Sequence, residues 1–171
     1  NGHGTNKDYS MAKKYFEQSV KLCNSDGYYN FGIMYYKGLG VNKDYSEAKK
    51  YFELAAKQNN SRGLDGLGNL YLYGYGVERD YLKAKEYFEL AAKQNNPNAF
   101  IGLGNLYLYG YGVERDYLKA KECYELSAKL NNKNAYLCLG DFYENPYGYE
   151  QDYSRAKYYY ELAARENKSN A

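Results

Sequence analysis

The chain has 171 residues, and its 23 basic and 21 acidic residues leave a net charge of +2, too balanced to indicate nucleic acid or an anionic membrane as the main partner. It lacks an apolar run near the length of a membrane-spanning helix, so no direct membrane insertion is expected. Its single histidine, His3, is too few for a histidine-based triad or metal cluster, and the acidic residues fall at predicted caps and charged faces. The sequence therefore predicts a protein that is not an enzyme and uses no cofactor or metal.

An internal period of 36 residues runs through the chain without insertion. It is marked by an Asp-Tyr pair, followed three residues after the Tyr by an Ala; the Asp residues are Asp8, Asp44, Asp80, Asp116 and Asp152. Such a period is typical of stacked supersecondary units, of which at least three are needed. The sequence predicts one repeat array over residues 1–171, of about 4.75 repeats. The start at Asn1, without an initiator Met, predicts a fragment of a longer protein.

The predicted elements begin with an unpaired second helix after Asp8, and each later repeat supplies a first and a second helix. Every first helix carries an interior glycine, although glycine there costs about 0.5–1 kcal/mol relative to alanine; these are Gly32, Gly68, Gly104 and Gly140. We expect close approach of the next helix, through small pairs such as Ala55-Ala56, to offset that cost. Three first helices are predicted to end at glycine turns, namely Gly38-Leu39-Gly40, Gly74-Tyr75-Gly76 and Gly110-Tyr111-Gly112.

Each second helix is predicted to begin at the repeating Asp, a favoured N-cap residue, and Asp44 with Glu47 matches a capping box. The helical spacing predicts a buried stripe of Tyr45, Ala48, Phe52 and Ala55, and a solvated charged ladder of Lys49, Glu53 and Lys57. The pairs Asn59-Asn60, Asn95-Asn96 and Asn131-Asn132 are predicted to end these helices. The last first helix ends in the different segment 145–149, which contains Pro146, so a stiffer and differently shaped turn is expected there.

The repeat motif is Leu103-Gly104-x-x-Tyr107-x-x-Gly110-x-Gly112-Val113-x-x-Asp116-x-x-Lys119-Ala120. It resembles the Sel1-like repeat family, a branch of the tetratricopeptide superfamily, over the whole chain. The resemblance implies an all-α fold, a right-handed α-solenoid of helix-turn-helix repeats, that serves as a scaffold or adaptor in protein complexes. Ordinary tetratricopeptide repeats lack this Gly-x-Gly-Val turn and are less favoured.

The three cysteines, Cys23, Cys123 and Cys138, occupy different positions in the repeat. An odd count without a recurring pair is not a disulfide framework and favours a reducing, cytoplasmic compartment. The sequence leaves open a bridge between Cys123 and Cys138. Cys123 replaces an aromatic residue of its helix and is interpreted as a small buried apolar residue. The disulfide staples of the cysteine-rich bacterial branch of the family are not expected here.

In the implied superhelix, first helices line the concave face, so their residues that point away from the buried stripe are predicted to bind a protein or an extended peptide. These residues, the predicted partner face, are Tyr29, Ile33, Tyr36, Arg62, Asp65, Asn69, Tyr73, Asn98, Ile101, Asn105, Tyr109, Leu137, Asp141 and Glu144. The amides of Asn69 and Asn105 can both donate to and accept from a peptide backbone.

Tetratricopeptide domains that grip a terminal carboxylate place Lys one turn before such an Asn. Asp65 and Ile101 hold those places here, so that activity is not implied. Tyr35, Tyr71, Tyr107 and Tyr143 hold core positions of the family and are interpreted as structural.

Several alternatives stay open at this stage. Asn69 and Asn105 are also consistent with plain solvated surface, because Asn is abundant throughout the chain. The array is also consistent with a passive spacer between other domains, or with end-to-end self-association through stacking faces left open at its two ends. A hydrolase built on a carboxylate pair is the least favoured alternative.

Overall fold

The computed structural model describes residues 24–145, 147 and 150–169, and the side chains as far as residue 165. Within these residues all regular structure is helical, which confirms the predicted all-α fold. The helices are α1 (Ser25–Lys37), α2 (Tyr45–Lys57), α3 (Ser61–Tyr73), α4 (Tyr81–Ala92), α5 (Pro97–Tyr109), α6 (Tyr117–Lys129), α7 (Lys133–Glu144) and α8 (Tyr153–Ser169). The helix predicted after Asp8, and with it the predicted N-terminal stacking face, lies outside the described residues.

The chain divides into two compact units between Gln94 and Asn95. The first unit contains α1 to α4, and its core is built around Ala48, Phe52, Leu67 and Leu70. The second contains α5 to α8, with a core of Leu108, Ala120, Tyr124, Leu139 and Phe142. In the predicted stripe of α2, Ala48, Phe52 and Ala55 are buried and Tyr45 is half-buried. No described helix is long and apolar enough to cross a membrane.

The predicted helix starts and stops are confirmed. The Asp44 carboxylate accepts from the backbone N–H groups of Ser46 and Glu47 at 2.9 and 3.0 Å, so it caps α2. Asp80 and Asp116 cap α4 and α6 in the same way. The glycines that end α1, α3 and α5 have left-handed φ angles of 72°, 70° and 70°; they are Gly38, Gly74 and Gly110.

The second half of the predicted capping box is wrong. The backbone N–H of Asp44 donates to the carbonyl of Tyr35 at 3.0 Å, and Glu47 accepts from Lys50 instead. The same backbone bond recurs at the other repeating Asp residues, from Asp80 to Tyr71, Asp116 to Tyr107 and Asp152 to Tyr143. It satisfies the donor that Glu47 would have taken, and it ties the start of each second helix to the preceding first helix.

The asparagine pairs do more than end the second helices. Asn59, Asn95 and Asn131 have a φ of 57°, a left-handed conformation that Asn tolerates better than most residues. The second Asn of each pair caps the following helix; Asn60, for example, accepts from the N–H groups of Arg62 and Gly63 at 3.0 and 3.1 Å. Each pair therefore supplies the last two residues of a helix-to-helix connection.

The interior glycines do allow a close approach, but the prediction of its partner was wrong. A Cβ atom on Gly32 would lie 2.6 Å from the Phe52 ring, and one on Gly68 would lie 2.5 Å from the Phe88 ring. The rings of Tyr124 and Tyr160 fill the same place beside Gly104 and Gly140. Ala55 packs instead against Gly63. An aromatic ring covers more of a helix surface than two methyl groups, so it takes the space that the missing side chain leaves.

The four tyrosines interpreted as structural are half-buried. Three of them stack on a ring of the second helix at centroid distances of 5.7–5.8 Å; the pairs are Tyr35–Tyr51, Tyr71–Tyr87 and Tyr143–Tyr159.

Cys123 holds the position at which the ring opposite the fourth, Tyr107, would stand. Cys123 and Cys138 are both free and half-buried, so the bridge left open above is not formed. Burial raises the pKa of each thiol to about 11. Cys23 lies outside the described residues.

Two further predictions concern the surface and the last turn. Lys49 and Glu53 form an ion pair and Lys57 is exposed, as expected for a solvated ladder.

The chain leaves α7 through Asn145 in an extended conformation, φ −105° and ψ 149°, instead of the left-handed glycine of the other repeats. The different turn is thus confirmed, although Pro146, Gly148 and Tyr149 lie outside the described residues.

Candidate partner-binding site

In the first unit, five residues of the predicted partner face come together around one cavity of about 80 Å³. We call it the aromatic pocket. It is lined by Tyr29, Ile33 and Tyr36 of α1, Phe52 of α2, and Asp65, Gly66 and Asn69 of α3.

Helical spacing explains why these side chains meet. Tyr29, Ile33 and Tyr36 stand at i, i+4 and i+7 on one face of α1, and Asp65 and Asn69 stand one turn apart on α3. Gly66 lacks a side chain at the point where the Phe52 ring arrives; a Cβ atom there would lie 2.9 Å from the ring. Phe52 therefore forms the floor of the pocket.

Asp65 is the chemically distinctive residue of the aromatic pocket. Its Oδ2 accepts from the Asn69 amide at 3.3 Å, but its Oδ1 is buried and has no hydrogen-bond partner among the described residues. Burial raises the pKa of this carboxyl from 3.8 to about 7. The group is therefore partly protonated near neutral pH, and its Oδ1 is a buried acceptor that has no partner among the described residues.

The nearest cation of the predicted partner face is engaged elsewhere. The Arg62 guanidinium donates to the exposed Asp26 and lies 4.8 Å from the centre of the Tyr29 ring. The hydrogen bond from Arg62 lowers the pKa of Asp26. The positive charge of Arg62 therefore does not stabilise the ionised form of Asp65. Burial also raises the pKa of Tyr36 to about 12, so its hydroxyl stays neutral.

A connected group of tyrosines extends from the pocket. Tyr36 meets Tyr45 at a ring-centroid distance of 5.4 Å, Tyr45 stacks on Tyr75 at 4.8 Å, and Tyr75 stacks on the exposed Tyr73 at 5.4 Å. Sequence reasoning missed Tyr45, Tyr75, Phe52 and Gly66 as parts of this site. The sequence signal for Tyr45 was Gly76, the second glycine of the turn. In the structure a Cβ atom on Gly76 would lie 2.6 Å from the Cβ atom of Tyr45, so the glycine allows this close contact.

In the second unit, the polar residues of the predicted partner face mostly bind other side chains of the same unit. Asn98 accepts from Asn132 at 2.9 Å, Asp141 from Asn145 at 3.0 Å, and Glu144 from Tyr160 at 2.7 Å. Ile101 packs against the core, whereas Leu137 and Tyr109 are exposed.

Asn69 and Asn105, which the sequence treats alike, differ in their contacts. The Asn69 amide donates to Asp65, whereas the Asn105 oxygen accepts from the Tyr124 hydroxyl at 2.7 Å. Phe88 occupies the corresponding place in the first unit and carries no hydroxyl. The two asparagines therefore have different partners, since the first unit has Asp65 and Phe88 where the second has Ile101 and Tyr124.

The comparisons with known proteins agree with this architecture. The family model of the Sel1 repeat matches residues 1–22, 25–60, 61–96, 99–132 and 134–168. A solved Sel1 repeat protein from Oxalobacter formigenes is 32% identical, with a TM-score of 0.79, over 95% of this chain and 66% of its own. Protein c5321, a protective antigen of uropathogenic Escherichia coli with an SLR fold, is 34% identical, with a TM-score of 0.74, over 97% of this chain and 36% of its own.

A more distant likeness is cysteine-rich protein B of Helicobacter pylori, which is 26% identical with a TM-score of 0.57, over 78% of this chain and 97% of its own. No curated protein matches the chain. The chain thus spans less than two thirds of the first two of these solved proteins. Helix pairs, motif and neighbours together establish an α-solenoid.

Proposed function

Because the chain belongs to the Sel1-like repeat family, whose members generally serve as protein-interaction modules, we propose that it is an adaptor that binds an extended segment of a partner protein on the predicted partner face. It contributes binding rather than chemistry. The aromatic pocket is the observation that carries this proposal.

The size of the aromatic pocket favours a partner side chain over a small-molecule substrate. Sites for small molecules usually enclose about 300–1,000 Å³, whereas this cavity measures about 80 Å³. Its lining of Tyr and Phe, with one buried polar group, resembles the pockets that receive anchor residues in protein interfaces. The adjoining Tyr73 and Tyr75 offer an exposed aromatic rim for the flanking backbone.

The duplicated sequence supports an extended partner. Residues 66–86 and 102–122 are identical, so Tyr73 and Tyr109 recur with the same neighbours. Each is exposed and stacks on the Tyr two residues later, at 5.4 Å. A partner that uses both presents a repeated or extended backbone rather than one compact knob.

Two matched double variants test this function by affinity capture from a lysate of the cells that produce the protein. Tyr73→Ala/Tyr109→Ala removes side chains that are 52% and 44% exposed on the predicted partner face; Leu82→Ala/Leu118→Ala removes side chains that are 62% and 51% exposed on the second helices. Because all four side chains are exposed, both variants are expected to fold, which circular dichroism checks. We expect the tyrosine variant to lose capture by about tenfold or more, as hot-spot tyrosines do, and the leucine variant to capture as the parent does.

Equal capture by the parent and both variants would contradict the proposal. Loss of capture in the leucine variant alone would place the interface on the second helices and would contradict it equally.

A further inference from the structure

Asp65 stands at a repeat position that is otherwise apolar or aromatic. The same position holds Tyr29, Ile101 and Leu137 in the other described repeats. A carboxylate placed there, with a buried oxygen that has no partner among the described residues, costs folding free energy instead of supplying it. Costly buried ionisable groups in clefts are characteristic of functional sites.

From this arrangement we propose that the aromatic pocket receives one lysine side chain of the bound partner segment, with its ammonium on the Asp65 carboxylate. The inference rests on the proposed function and names the residue type that the pocket selects.

The geometry of the carboxylate favours an ammonium over a guanidinium. Arginine binds best to a carboxylate that offers both oxygens side by side. Asp65 Oδ2 already accepts from Asn69 at 3.3 Å and Oδ1 is buried, so the carboxylate does not offer both oxygens side by side. A lysine ammonium is a compact point charge with three donors, and one oxygen satisfies the contact that it requires.

The walls suit the rest of a lysine side chain. Tyr29, Tyr36 and Phe52 supply three aromatic surfaces, and Ile33 an aliphatic one, around a cavity of about 80 Å³. Methylene groups lose water against such walls, and a cation within about 6 Å of a ring face is attracted by it. An aspartate or glutamate side chain would meet Asp65 with like charge, so the pocket rejects acidic residues.

The charged and titratable groups described around Asp65 do not occupy the position proposed for the lysine ammonium. Tyr29 and Tyr36 face it from α1 and stay neutral, because burial raises the pKa of both hydroxyls. Phe52 faces it from α2 without a charge, and on α3 Arg62 is engaged by Asp26 and Tyr29. An incoming ammonium therefore meets no competing cation of the chain among these groups.

Lysine binding should release a proton from Asp65, so it should strengthen as the pH rises. Since burial raises the pKa of this carboxyl to about 7, its ionised fraction grows from roughly one tenth at pH 6 to roughly nine tenths at pH 8. We expect the affinity for lysine to rise by about tenfold over that interval.

The test uses capped heptapeptides, Gly-Ser-Gly-X-Gly-Ser-Gly, in which X is lysine, norleucine or arginine. Norleucine keeps the methylenes and lacks the ammonium. Binding is followed by NMR at the backbone amides of Gly66 and Asn69, at pH 8. We expect the lysine peptide to bind about tenfold more tightly than the norleucine peptide, as for a hydrogen bond to a charged group, and more tightly than the arginine peptide.

The Asp65→Asn variant should erase the preference for lysine over norleucine. Glu78→Gln is the matched control, because it removes the same charge from an exposed site of the same unit and should keep the preference. Equal binding of lysine and norleucine, no response at Gly66 and Asn69, or an unchanged preference in Asp65→Asn would each overturn the inference. Equal binding of the two peptides would contradict the lysine proposal alone. The proposed function is tested separately, by the capture experiment.

Discussion

Gly68→Ala is expected to lower the free energy of unfolding by about 2 kcal/mol, although alanine is the better helix former. The new Cβ atom would lie 2.5 Å from Cε1 and 2.6 Å from Cδ1 of Phe88. The Phe88 ring is fully buried against its neighbours, so it has no free space into which to move. Urea denaturation, followed by circular dichroism, measures the loss.

A double-mutant cycle gives the control for this prediction. Phe88→Leu alone removes ring atoms and should destabilise the protein by about 1–2 kcal/mol. Combined with Gly68→Ala, it should cost clearly less than the sum of the two single changes, because the smaller side chain relieves the clash. Additive losses would mean that the ring is not the reason for the glycine.

Asp65→Asn is expected to stabilise the protein increasingly as the pH rises from 4 to 7. The pKa of the Asp65 carboxyl is raised to about 7 in the folded chain, against about 3.9 in the unfolded chain. Between these values the folded state holds a proton that the unfolded state has lost, so the parent loses stability with rising pH. The loss ends above pH 7, and the variant does not undergo it. The gap between the two proteins should therefore widen by roughly 3 kcal/mol.

This difference is measured by denaturant titration of both proteins at pH 4, 5, 6, 7 and 8. Comparing the two cancels the other carboxylates, among them Asp26, whose lowered pKa acts in the opposite direction. Glu78→Gln should follow the parent at every pH, because Glu78 is exposed. A constant gap between parent and Asp65→Asn across this range would show that the carboxyl is not held in its protonated form by burial.

The helices were predictable because their limits are encoded locally. An Asp cap, a glycine with a left-handed φ and a pair of asparagines each act over two or three residues, and the period repeats them. The packing partner of Gly68 was not predictable in the same way. Ala91 and Phe88 both lie on the next helix, α4, and the sequence offers either as the partner of Gly68. Only the three-dimensional contact shows that the Phe88 ring packs against the glycine.

The candidate site was predictable as a face but not as a pocket. Helical spacing placed Tyr29, Asp65 and Asn69 on one surface, yet nothing in the spacing shows that Asp65 Oδ1 is buried without a partner among the described residues. That depends on Gly66, which admits the Phe52 ring, and therefore on a third helix. The difference between Asn69 and Asn105 likewise depends on contacts, with Asp65 in one repeat and with the Tyr124 hydroxyl in the other.

Site-specific photocrosslinking in the cells that produce the protein tests directly whether a partner binds the predicted partner face. A benzophenone-bearing phenylalanine at the position of Tyr73 is compared with one at the position of Leu82, an exposed residue of the second helix α4. We expect a discrete crosslinked partner from position 73 and none from position 82. A partner crosslinked from position 82 alone, or none from either position, would contradict binding on the predicted partner face.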